Sequence, residues 1–231
     1  MAACWCASKK LRTFVIIMDI DLILKYFPGL SDRQVEQLRV MCALYPEWNA
    51  RINVISRKDI DNLVSAHILH SLAIAAFLGP LEAGTTVMDL GTGGGFPGLP
   101  LAVMYPDCKF HLVDRIAKKL RVAADVAEKA GLGNVTFQHG DAGECHEKFD
   151  YVVSRAVMPL DGLVKIAARN IARGKRPANR YANGLICLKG GDIEQESASV
   201  RYPVMEYMVN EFFSEPCFDT KKLIYVPICS K

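Results

Sequence analysis

MDLGTGGGFPG, running from Met88 to Gly98, decides the fold. It follows a β-rich run, TTVMDL, and leads into a helical stretch reaching Tyr105, with Pro97 in the first turn. Gly91, Gly93 and Gly95 allow a sharp turn and a close approach of backbone to ligand, where any Cβ would intrude. Strand, glycine turn and helix in that order form the nucleotide-binding start of a doubly wound sheet.

The spacing Gly93-x-Gly95-x-x-Gly98 is shared with dinucleotide-binding dehydrogenases. An acid two residues ahead of the first glycine gives Asp89-x-Gly91-x-Gly93-x-Gly95, the S-adenosylmethionine (SAM) pattern, in which the carboxylate organises the loop near the ligand's ammonium group. Asp89 also reads as a strand-end acid that ties up loop amides. Asp114 closes the next β-rich run, where a carboxylate accepts from both ribose hydroxyls. The third run ends at His139, and Gly140, Asp141 and Ala142 follow where an adenine would lie. No Gly-Lys-Ser/Thr follows the glycines, so a triphosphate would lack its lysine. A dehydrogenase stays the rival; it usually needs a further substrate domain, for which little chain remains.

Outward from the turn, β-rich and helical runs alternate: KFHLVD, a helix over Lys118–Ala130, NVTFQH, FDYVVS, a helix near Leu160–Ala172, and LICLK. This alternation predicts an α/β, Rossmann-like fold with a mostly parallel sheet. VMEYMVNEFF and KLIYVPI then predict an antiparallel hairpin at the sheet edge. Upstream, Val35, Leu38, Cys42, Tyr45, Trp48 and Ile52 form a helical stripe, and Ile68, Leu69, Leu72, Ala75, Ala76 and Leu78 form a second. Ser31 with Gln34 and Ser56 with Asp59 fit capping boxes. The expected organisation is an N-terminal helical unit over 18–84 and a methyltransferase-type domain over 85–231. Residues 1–17 carry no period and read as a non-native or disordered extension, with Met18 as the natural start.

With 231 residues, 51% hydrophobic and 23% charged, the chain can bury one sizeable core, which excludes long disorder and fibrous architectures. Apolar runs are broken by charge, Gly or Pro within about eight positions, well short of the roughly 20 residues a membrane span needs. A soluble cytoplasmic protein is expected, with no membrane partner. Cys4, Cys6, Cys42, Cys108, Cys145, Cys187, Cys217 and Cys229 are scattered without zinc spacing, so free thiols and no metal are expected. His67 and His70 lack a third ligand at suitable spacing.

WNARINVISRKD (Trp48–Asp59), SAHILHSL (Ser65–Leu72), the glycine turn, FDYVVSRAV (Phe149–Val157) and LICLKGG (Leu185–Gly191) together resemble the RsmG (GidB) family, across about Ile20 to Val226. Members are class I SAM-dependent methyltransferases that methylate N7 of a guanine in 16S rRNA. The resemblance implies that Gly91 and Phe96 line the SAM site, that Ala142 and Gly143 flank the adenine, and that Arg155 stands between cofactor and substrate. The family often has Arg-His-x-x-Asp-Ser where this chain has Ala66-His67-Ile68-Leu69-His70-Ser71, and Arg-Ala-Glu where it has Asp141-Ala142-Gly143.

Guanine N7 has a free lone pair and loses no proton on methylation, so no general base is required and positioning dominates. Ser154, Arg155 and Ala156 stand after the fourth run where an amine-methylating enzyme would carry Asp-Pro-Pro-Tyr. Cys217, in the only Pro-Cys pair, lies in the edge hairpin and reads as structural rather than as a thiolate nucleophile. Arg155 is expected to donate to guanine O6 or to stack on the base. Lys189 follows the fifth run on the same side and is expected to meet RNA. Gly162 to Gly191 contains no acid, and Arg173, Lys175 and Arg176 within it read as phosphate contacts, or as a solvated helix end. The expected protein is a monomeric SAM-dependent enzyme acting on 16S rRNA of the small ribosomal subunit. The alternatives are a methyltransferase of another RNA or of a small molecule, and a non-catalytic SAM-binding ribosome-assembly factor.

Overall fold

A computed structural model describes residues 20–56, 59–155 and 158–228. The expectations for residues 1–17, Met18, Cys4, Cys6, Cys229 and Ala156 lie outside these. Residues 20–26 are helical (α1), and α2 spans Asp32–Asn49. Ser31 starts α2 with a reciprocal capping box: its hydroxyl accepts from Gln34 N–H, and the Gln34 side chain accepts from Ser31 N–H at 3.0 Å. The second box spans residues 57 and 58, which lie outside the described residues. The next helical stretch begins with a 3-10 turn at Ile60–Asn62, for which Asp59 provides no side-chain cap. It continues through a π-helical segment, Leu63–Leu69, into α3, His70–Leu78. The 19 residues Ile60–Leu78, with mean hydropathy 1.3, are long and apolar enough by length and composition to cross a membrane, against the expectation that no stretch was. Residues 61–62, 65–67 and 70–71 are polar or small enough to break an unbroken apolar run, yet the helix continues through them; 61% of its most apolar 18-residue stretch is buried inside the protein.

Among the described residues the sheet has seven strands: β1 Thr86–Leu90, β2 Lys109–Asp114, β3 Val135–His139, β4 Tyr151–Arg155, β5 Gly184–Gly190, β6 Met205–Met208 and β7 Lys221–Pro227. Their order is β3-β2-β1-β4-β5-β7-β6. The first five are parallel, and β7 pairs antiparallel with both β5 and β6. β1, β4 and β5 are buried along nearly their whole length, as strands covered on both faces must be. Alternate residues supply two cores. Val87, Phe110, Tyr151, Val153, Ile186 and Leu223 face one side, together with α2, α3, α4 (Gly98–Met104) and α5 (Ala117–Lys129). Met88, Val113, Val152, Leu185, Cys187 and Val226 face the other, against α6 (Leu160–Asn170). The helical unit is therefore a layer of the same core as the sheet.

The apolar run VMEYMVNEFF is a strand only as far as Met208. Glu211 accepts from Met208 N–H at 3.0 Å and turns the chain into a 3-10 segment, Val209–Glu211. A short helix absent from the expectations, α7, spans Glu194–Ala198.

Candidate functional site: two clefts on the carboxyl edge

Strand order reverses between β1 and β4, and a cleft of about 570 Å³ opens beyond their carboxyl ends. Its walls include Gly91, Gly93, Phe96, Asp114, Asp141, Ala142 and Arg155, seven of the ten residues expected to hold the cofactor. Gly93 has φ +56 and open space where a Cβ would project, so a side chain there would both strain the turn and stand in the cleft. Asp114 Oδ2 accepts from Gly93 N–H at 2.7 Å and its Oδ1 from Ile116 N–H at 2.7 Å, tying the end of β2 to the glycine turn. Asp141 accepts from Gly143 N–H at 2.7 Å and is ion-paired with Arg115. The Gly143 bond first, and Arg115 with it, hold the Asp141 carboxyl below its ordinary range. The volume, the bare glycine backbone and an acid after each of β2 and β3 fit an adenosyl group.

The three remaining expectations act from behind the wall. Gly143 serves as the backbone donor to Asp141. Gly95 turns the chain over Leu99 and Tyr45. Asp89 is fully buried and accepts from Gly98 N–H at 2.7 Å, fixing the first turn of α4, with the Thr92 hydroxyl beside it. A Cβ on Gly98 would lie 2.7 Å from that carboxylate, which explains the third glycine. Burial pushes the Asp89 carboxyl up to about 7. Of the two readings of this acid, the bond to a backbone amide is the one visible here.

The helical unit completes the cleft in ways the motifs did not reveal. Tyr45, buried at the end of α2, donates to Gly94 O at 2.7 Å and packs on Phe96 with ring centroids 4.6 Å apart. Val54 lines the cleft and approaches Gly94 so closely that a Cβ there would meet it at 2.7 Å. Arg155 lies over the Phe96 ring at 5.1 Å, and its Nη2 donates to His67 Nδ1 at 3.0 Å. A guanidinium only donates, so His67 is neutral with a bare Nδ1. Burial, then the Arg155 charge, lowers that imidazole to about 4, in keeping with this state. Nη1 of Arg155 is buried without a partner.

Arg155 and Val54 also line a second cleft, of about 700 Å³, between the helical unit and the start of β7. Its walls include Asp59, His67, His70, Lys189 and Phe218. Lys189 lines this cleft, yet it is not a free cation. It donates to Met158 O at 3.0 Å and is ion-paired with Glu196 of α7, leaving its side chain 11% exposed. The expected phosphate contacts Arg173, Lys175 and Arg176 lie on the α6–β5 connection, which returns to the opposite, amino edge of the sheet, because it enters a strand parallel to its neighbours. There Arg176 donates to Asp150 at 2.7 Å and lies 3.7 Å from Glu82, a structural pair rather than a contact held ready for RNA. Among the described residues no group of three or more His, Cys, Asp or Glu could hold a metal, and Cys108, Cys145, Cys187 and Cys217 are free thiols.

Two solved methyltransferase folds superpose on this architecture. Fibrillarin from Aeropyrum pernix, solved with SAM bound, matches with a TM-score of 0.51 at 15% identity, over 68% of this chain and 73% of its own. Precorrin-6y C5,15-methyltransferase from Geobacter metallireducens matches at 0.52 and 11%, over 79% and 95%. They establish a class I SAM-dependent methyltransferase fold. In sequence, the ribosomal RNA small subunit methyltransferase G of Bacteroides fragilis strain YCH46 is 54% identical over 209 residues, covering 90% of this chain and 92% of the relative. That of Porphyromonas gingivalis is 52% identical over 208 residues, covering 90% and 93%. A family model described as rRNA small subunit methyltransferase G matches residues 34–196. By that match and those identities, the chain belongs to the rRNA small subunit methyltransferase G family.

Proposed function

We propose that this protein transfers the methyl group of SAM to N7 of a guanine in 16S rRNA of the small ribosomal subunit, acting as a monomer in the cytoplasm. The observation that carries the reading is the cleft at the β1/β4 switch point, in a chain of this family, with Arg155 on the boundary between it and a second cleft. Gly91, Gly93, Phe96, Asp114, Asp141 and Ala142 hold the cofactor, whose sulfonium supplies an electrophilic methyl. Asp89, Gly95 and Gly143 fix the backbone behind them.

The carboxylates that line the cofactor cleft, with His67 and Ser154 beside it, are already engaged. Asp114 and Asp141 accept backbone N–H groups, His67 accepts from Arg155, and the Ser154 hydroxyl donates to Leu90 O at 2.7 Å. Such a site suits a nucleophile that has its lone pair ready and releases no proton. Acceleration then comes from holding the reactants in line, a source of roughly 7–11 kcal/mol in well-oriented systems. Arg155 supplies the orientation and Lys189 braces the wall beside it.

The test is transfer of labelled methyl from SAM to small ribosomal subunits from a strain lacking this modification, followed by nucleoside analysis. The expected product is 7-methylguanosine in 16S rRNA. SAM binding without transfer, or methyl on another atom, overturns the reading.

A further inference from the structure

Among the described residues, two buried polar atoms near the second cleft lack partners, and their hydrogen-bonding characters are opposite. Arg155 Nη1 is a donor, as every guanidinium nitrogen is. His70 is 7% exposed and lines the cleft, and its Nε2 has no partner. The His70 ring bonds the backbone of Ala66, one helical turn earlier, which places its proton on Nδ1 and leaves Nε2 with a bare lone pair. Burial, with Arg155 and Lys221 adding to it, lowers this imidazole to about 3, so it is a neutral acceptor. Buried groups left unbonded in a native protein call for an explanation, and the two residues that carry them line one cleft, large enough for a nucleotide.

We propose that the second cleft is the acceptor-base site, which takes one extruded guanine whose O6 accepts from Arg155 Nη1 and whose N1–H donates to His70 Nε2. The proposal rests on the methyl-transfer reading and adds to it the residues that choose the base. Around the rim of guanine the atoms run N1, O6, N7. A base with N1 at His70 and O6 at Arg155 therefore presents N7 toward the boundary that Arg155 shares with the cofactor cleft. Adenine reverses both polarities: its N6 amino group would face the Arg155 donor and its N1 lone pair the His70 lone pair. Leaving buried donors and acceptors unmatched is a strong basis for rejection. His67 is the positioning residue, since its bond to Nη2 sets where Nη1 points. Single-stranded or flipped bases are the form in which RNA presents such an edge.

The experiment titrates guanosine, inosine and adenosine 5′-monophosphates into the full-length wild-type protein saturated with S-adenosylhomocysteine. It is read by calorimetry and by the NMR signal of the His70 ring. Guanosine and inosine monophosphates, which share O6 and N1–H, should bind about ten-fold or more tightly than the adenosine nucleotide and shift the His70 signal. In His70→Leu the preference should fall to about two-fold or less, with S-adenosylhomocysteine affinity kept. Equal affinity for the three nucleotides, no His70 shift up to the solubility limit, or an undiminished preference in His70→Leu overturns the proposal. If His70→Leu does not fold, the wild-type series decides alone. A guanine preference without transfer to ribosomal subunits would sink the methyl-transfer reading and keep the base site; transfer without preference would do the reverse.

Discussion

The two edges of the sheet treat a buried charge differently. At the amino edge Asp150 is saturated: Oδ2 accepts from Thr86 N–H at 2.8 Å, the Thr86 hydroxyl at 3.1 Å and Arg176 Nε at 2.7 Å, and Oδ1 accepts from Asn183 at 3.4 Å. At the carboxyl edge Arg155 has a bond from Nη2 to His67, an aromatic face beneath it, and a buried Nη1 with nothing to donate to. Burial alone lowers the Arg155 guanidinium to about 10, with Asp89 and Tyr45 opposing. A saturated network fixes the fold, whereas an incomplete one reserves its bonding for a ligand.

Three substitutions press on this contrast. Asp150→Ala should have the largest effect, about 3 kcal/mol of unfolding free energy in urea titration, because it strands Arg176 and two β1 donors. The folded fraction should still bind SAM with wild-type affinity; a loss of affinity would break the division between the edges. Arg155→Ala should do the opposite, lowering kcat/KM for methyl transfer on the order of 100-fold while the urea midpoint moves little or rises. A large loss of stability would make Arg155 another part of the scaffold.

The smallest effect concerns His67 and pH. Its folded pKa is lowered, by burial first and then by Arg155, from 6.5 to about 4, so the unfolded chain takes up the proton first. Stability associated with this ring is therefore present above about pH 6.5 and lost as pH falls toward 4. His67→Gln should flatten that slope by about 1 kcal/mol, discounted for a ring that is only partly buried. A variant with the wild-type slope between those pH values would show that the ring does not carry it.

Features governed by neighbours in sequence were legible before the structure. The capping box at Ser31, the strand–glycine–helix unit, the acid ending β2 and the acid just after β3 depend on spacings of a few residues. What failed depended on partners far along the chain. Arg176 and Lys175 look alike in a basic stretch, and only folding brings Asp150, 26 positions away, against Arg176. Lys189 seemed free because α7, five residues long, shows no helical period, and it is α7 that delivers Glu196. Tyr45 was visible only as one apolar position in a stripe, with no sign that its hydroxyl would reach Gly94. His70 stands out in the sequence only as a histidine without enough partners for a metal, and its bare Nε2 emerges only when burial and the Ala66 bond are seen together.

The approach of Val54 to Gly94 has a consequence for how this protein can change. Gly94 has no left-handed backbone, so its own conformation would admit alanine; the obstacle is the Val54 Cβ, 2.7 Å from where a new methyl would lie. Because the obstacle is itself a Cβ, trimming valine to alanine would not relieve it. At the present backbone spacing, only one of positions 54 and 94 can carry a side chain. The helical unit and the glycine turn thus share a single vacancy, and mutation at one site is constrained by a residue forty positions away.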